Sequence, residues 1–120
     1  MKNMDKTKYI QEIVDKLKSI DPHLIMLFGS YAYGTPDEDS DVDILLVTND
    51  DFMPETFDER LEYRLAIKKM IRETVKKIPV DLLIYSRPMF QKFRELNSSF
   101  SQEILTKGKK LYESNNPRLA

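Results

Sequence analysis

The stretch that decides the fold is Leu24-Ile25-Met26-Leu27-Phe28-Gly29-Ser30-Tyr31-Ala32-Tyr33-Gly34, followed after a polar loop, Thr35–Ser40, by Asp41-Val42-Asp43-Ile44-Leu45-Leu46-Val47-Thr48. Leu24–Phe28 is a continuous apolar run closed by a glycine. It is too short for a helix and reads as a strand buried on both faces. Asp41–Thr48, rich in branched residues, reads as a second strand that begins polar and ends buried.

Working outward, a helix is expected upstream over about Asp5–Ser19, where Ile10, Ile13, Val14 and Leu17 recur at three- and four-residue spacing; Asp21-Pro22 stops it. Downstream, Phe57, Leu61, Leu65, Ile67, Ile71, Val75 and Ile78 suggest one amphipathic helix over about Glu55–Lys77, ended by Pro79. Val80–Tyr85 is a third strand, again with a carboxylate, Asp81, near its start. Two short helices follow, about Pro88–Leu96 and Ser99–Lys107, with Ser98 or Ser99 capping the second and Gly108 closing it. Lys109–Tyr112 is expected as a brief edge strand, and Glu113–Ala120 as frayed. The expected class is α/β (α+β): a small mixed sheet of three to four strands packed with helices. No repeat or linker divides the chain, so residues 1–120 read as one domain.

Composition bounds the function. The chain has 120 residues, 41% of them hydrophobic and 10% aromatic, enough to bury a core and to exclude global disorder. With 19 basic and 20 acidic residues the net charge is −1, so nothing in the overall balance attracts nucleic acid or an anionic membrane, and no direct nucleic-acid binding is expected. The absence of cysteine removes disulfides and thiolate chemistry and suits a reducing compartment, the cytoplasm. Met1–Gln11 is polar and lysine-bearing, unlike a signal peptide, and the longest apolar runs fall far short of the ~20 residues that span a bilayer.

The chemistry concentrates around Gly29. A strand ending in Gly29-Ser30 and turning at once into a short helix leaves unpaired backbone N–H groups beside the Ser30 hydroxyl, an arrangement that suits a phosphate. Side chains alternate along a strand, so Asp41 and Asp43 are expected on one face about 6–7 Å apart, with Val42 on the other. If the third strand lies beside the second, in the register their polar starts suggest, Asp81 joins them. The plainer reading is that these aspartates merely begin strands in solvent. Clustered carboxylates repel unless protonated or neutralised by a cation, and all-oxygen ligands favour Mg²⁺ when a phosphate is present. Turn and acids together point to a metal-bound nucleoside triphosphate.

The run Gly29-Ser30-x-Ala32-x-Gly34, then Ser40-Asp41-x-Asp43-Ile44, resembles the signature of the DNA polymerase β-type nucleotidyltransferase superfamily, in particular its minimal nucleotidyltransferases. The Asp81 strand and the ending Ser99–Tyr112 extend the likeness over essentially the whole chain. By that resemblance Gly29, Ser30 and Ser40 would bind the nucleotide, while Asp41, Asp43 and Asp81 would be catalytic and hold two Mg²⁺ ions. The implied reaction moves a nucleoside monophosphate, AMP from ATP, onto a hydroxyl acceptor. The implied partner is a small helical toxin of the HEPN type, modified on a tyrosine, to which the chain would be antitoxin. The alternative is a non-catalytic antitoxin or binding subunit that keeps the fold. Tyr33 stands where many members carry an arginine, which favours that alternative.

Other features are read as structural. Tyr31 and Tyr33 are expected to pack, His23 has no companion for a metal site, and Arg60, Arg64, Lys68, Arg72 and Lys76, recurring every four residues, read as a solvated helix face, the alternative being a basic stripe for phosphate or a partner. Phe90, Phe93 and Phe100 are candidates for a partner-docking surface, with core packing the competing reading for at least two of them.

Overall fold

The computed structural model describes residues 6–34 and 41–114. Helix α1 (Thr7–Leu17) runs through a 3-10 turn, Lys18–Ile20, and Asp21, left-handed at φ 52°, reverses the chain. Strand β1 (Leu24–Phe28) leads through Gly29 into the four-residue helix α2 (Ser30–Tyr33), and β2 is Val42–Val47. Helix α3 (Phe57–Lys68), a 3-10 turn (Lys69–Ile71) and α4 (Arg72–Val75) carry the chain to β3 (Val80–Tyr85). Helices α5 (Arg87–Leu96) and α6 (Ser99–Lys107) precede β4 (Lys109–Glu113).

The four strands form one mixed sheet in the order β3-β2-β1-β4. β1 is antiparallel to both neighbours, whereas β2 and β3 are parallel, so the α3–α4 segment between them serves as the crossover. Alternation sends Ile25, Leu27, Ile44, Leu46, Leu82 and Ile84 to one face, against Ile13, Val14 and Leu17 of α1 and Ile67 and Ile71 after it. Leu24, Met26, Phe28, Leu45 and Val47 face the other way, against Phe90, Phe93 and Ile104. β1 is therefore buried on both faces, as its unbroken apolar run requires. Among the described residues no helix is long and apolar enough to cross a membrane.

Caps fix the later helices. Thr56 accepts from the Glu59 N–H, Ser86 from that of Met89, and Ser98 from that of Ser101, while left-handed Asn97 (φ 49°) ends α5. Gly108 does end α6, though not by a left-handed turn; its φ is −68°. A Cβ there would lie 2.5 Å from the Ile104 carbonyl oxygen of α6 and 3.1 Å from the Leu27 carbonyl oxygen of β1, so glycine is required by the close approach of two backbone carbonyls.

The single helix expected over Glu55–Lys77 breaks at Lys69–Ile71, and its stripe is really two. Phe57, Leu61, Leu65 and Val75 are 74%, 38%, 51% and 39% exposed, whereas Ile67, Ile71 and Ile78 are buried. From Leu65 to Ile67 is a step of about 200° around a helix, so the first set turns away from the sheet when the second faces it. Phe90 and Phe93 belong to the core, and Phe100 is half-exposed, its ring meeting Phe28 and Phe93 edge-on with centroids 5.9 and 6.1 Å away. Phe93→Ala should accordingly cost about 3–5 kcal/mol in urea unfolding, and Phe100→Ala much less.

Candidate active site

Strand directions assemble the site. The antiparallel β1–β2 pairing puts Phe28, the last residue of β1, opposite Asp43 near the start of β2. The parallel β2–β3 pairing puts Asp81 opposite Asp43 in turn, so both carboxylates leave the sheet on the same face. The turn after Phe28 thus opens where two acid-bearing strands begin. Asp41 is exposed and lies just before β2, whose first residue, Val42, is fully buried. Ser40 lies outside the described residues.

Gly29 joins turn and acid directly. Its φ of 74° and ψ of −162° belong to a region essentially reserved for glycine. A Cβ built there would fall onto Asp43 Oδ2, so the carboxylate packs against the glycine backbone. The Gly29 carbonyl accepts from the N–H groups of Ala32 and Tyr33 at 3.0 Å each, and Ser30 accepts from Gly34. The N–H groups of Ser30 and Tyr31 precede any carbonyl the helix can offer, and among the described residues no backbone acceptor takes them, which leaves two donors beside the half-buried Ser30 side chain.

The electrostatics follow from this packing. Burial pushes the Asp43 carboxyl above its ordinary pKa, and the charges of Asp81 and Asp41 push it further. The three acids therefore share one field, as their sequence positions suggested. The donor set is all oxygen and mutually repelling, which fits a hard divalent cation. Among the described residues, no group of three or more His, Cys, Asp or Glu side chains is gathered closely enough to hold an ion as it stands. Asp43 and Asp81 form the opposed pair, and Asp41 adds charge from the mouth of the strand.

Tyr33 packs, as expected, yet among the described residues its buried hydroxyl finds no partner within hydrogen-bonding geometry. Burial raises its pKa, and the Glu103 and Asp43 carboxylates add to the rise. Lys107, at the end of α6, holds its ammonium 6.0 Å from the Tyr33 ring centroid. Sequence reading passed over Lys107 and Glu103, because nothing local marks them; only the packing of α6 against β1 brings them to the turn.

Comparisons with known proteins show the family. A family model described as a nucleotidyltransferase domain matches residues 8–112. A Methanocaldococcus jannaschii protein, named as a putative protein adenylyltransferase, is 35% identical over 112 residues, covering 91% of this chain and 100% of the relative. A chain in the crystal structure of a toxin–antitoxin with AMP-PNP is 26% identical, with a TM-score of 0.52 over 88% of this chain and 73% of that one. A Sulfolobus solfataricus structure, named as a putative nucleotidyltransferase, shares the fold at 17% identity, with a TM-score of 0.53 over 94% of this chain and 92% of that one. This chain belongs to the nucleotidyltransferase family and is a nucleotide-transferring enzyme.

Proposed function

We propose that the protein is a Mg²⁺-dependent adenylyltransferase that moves AMP from ATP onto a hydroxyl of a partner protein, a tyrosine of a HEPN-type toxin, in the cytoplasm. The observation that carries this reading is the opposition of Asp43 and Asp81 across the parallel strand pair, with the Asp43 carboxylate packed on the Gly29 turn. The M. jannaschii relative's name supports protein as acceptor, and the toxin–antitoxin structure with AMP-PNP supports both a triphosphate and a toxin partner.

In this reading the backbone N–H groups of Ser30 and Tyr31 and the Ser30 hydroxyl hold phosphate oxygens, with the ammonium of Lys107 nearby in place of an arginine at Tyr33. Asp41, Asp43 and Asp81 would hold the Mg²⁺ ions, which supply Lewis-acid stabilisation of the phosphoryl oxygens. The acceptor oxygen forms a bond to the α-phosphorus as the α–β bridging P–O bond breaks. Pyrophosphate leaves with that electron pair, and the acceptor proton passes to the carboxylate cluster. Ser40 is assigned to the nucleotide by its place in the motif.

The test is mass spectrometry of the partner toxin incubated with this protein, ATP and Mg²⁺. The expected result is one or more added AMP groups on tyrosine; an unmodified toxin that is nonetheless inhibited would transfer the reading to a binding antitoxin. A finer test isolates the turn. Ser30→Ala should weaken ATP binding in calorimetric titration by about 1–2 kcal/mol, the worth of a hydrogen bond to a charged oxygen, and leave adenosine binding unchanged. Equal loss for both ligands would move the phosphates elsewhere.

A further inference from the structure

The outward stripe of α3 runs into a groove. Leu65 and Val75 form one wall of a cavity of about 530 Å³ whose other apolar residues, Val80 and Leu82, come from β3. Among the described residues β3 is an edge strand, hydrogen-bonded to β2 alone, so the groove lies along the margin of the sheet. Lys68, Lys69, Arg72 and Lys76 also line it; Lys76 pairs with Glu73, and among the described residues the other three make no ion pair. Leu65 and Val75 are exposed together with the adjoining Phe57 and Leu61, over half-buried Val80 and buried Leu82, so an aliphatic surface opens to solvent beside uncompensated positive charge.

We propose that this groove docks an acidic amphipathic helix of a protein partner. Helix-in-groove recognition needs an apolar floor that takes residues at i, i+3 or i+4, and i+7, and Leu65, Val75, Val80 and Leu82 supply one. Glutamate or aspartate on the flanks of such a helix would compensate Lys68, Lys69 and Arg72. A second copy docking groove to groove would set these cations against their own equivalents. A single-stranded nucleic acid would find the charge but no aromatic side chain in the groove on which to stack a base. The inference rests on the reading that a partner protein presents the acceptor hydroxyl. Val80 immediately precedes Asp81 on β3, so an occupant of the groove lies against the strand that carries one of the site's carboxylates.

The probe is a fluorescein-labelled helical peptide of about five turns, ~18 residues, with leucines on one face and glutamates flanking them. Its counterpart has lysines in place of the glutamates. By anisotropy, the full chain should bind the acidic peptide at least about tenfold tighter than the basic one, with affinity falling as salt rises. Lys68→Glu/Arg72→Glu should lose about tenfold or more and weaken the salt dependence. Leu65→Ser/Val75→Ser, at sites already exposed, should also lose affinity without loss of folding. Equal binding of both peptides, or parental affinity in the charge-reversed protein, overturns the proposal. So does a dimer in sedimentation that Leu65→Ser/Val75→Ser dissociates, or a preference for single-stranded RNA over the acidic peptide. ATP titration of the same proteins separates the two readings. Groove variants that keep ATP binding but lose the peptide locate the defect in the groove. A parent chain that binds the peptide but not ATP would refute adenylyl transfer and leave the groove standing.

Discussion

Asp43→Asn should lower nucleotide transfer by roughly 10²–10³-fold or more while leaving the chain folded, because it removes the carboxylate that packs on the Gly29 turn and stands opposite Asp81 in the strand register. Asp43 lies opposite Asp81 and packs against Gly29, so no neighbouring acid can take its place. Asp41→Asn should fall in the same direction. A transfer rate near that of the parent in Asp43→Asn would remove the carboxylates from the reaction. The same variant carries a stability signature of opposite sign. Asp43 has a raised pKa in the folded state, so between the ordinary value of 3.8 and the folded one the folded protein binds more protons than the unfolded chain. Stability is therefore lost as pH rises through that window. Without divalent metal, Asp43→Asn should melt above the parent at neutral pH, and the gap should close as pH falls below 3.8. Thermal melts across that range check it. A variant that melts below the parent at neutral pH would show that the carboxylate is compensated.

Gly29→Ala should have the next largest effect, abolishing detectable ATP binding and destabilising the fold by about 1–3 kcal/mol, the cost of holding a side chain at such a φ and ψ. Two penalties combine here: the backbone conformation and the overlap of the new Cβ with the Asp43 carboxylate. They can be separated by urea denaturation of Gly29→Ala, Asp43→Ala and the double variant. Removing the Asp43 carboxylate should restore the steric part and leave the conformational part, so the double variant should be more stable than the additive sum. Strict additivity would mean that the glycine and the carboxylate do not press on each other.

Much of this protein was legible in one dimension. Strand β1 could be placed because five apolar residues in a row can be satisfied only between two layers, and the two layers are there. Asp43 and Asp81 could be paired because each interrupts an apolar strand near its start, a place where a carboxylate is tolerated only at the end of a sheet. What the sequence could not settle depends on rotation and on distance. The stripe from Phe57 to Ile78 carries apolar residues at plausible spacing throughout, yet a two-residue step between Leu65 and Ile67 puts them on different sides of the helix, and only the sheet decides which side is buried. The exposed side became a groove because β3 ended up at the sheet edge, which strand order determines and local sequence does not. Glu103 and Lys107 reach Tyr33 for the same reason: α6 returns across the sheet to deliver β4 beside β1, and residues far apart in the chain meet at a turn that neither local pattern announces.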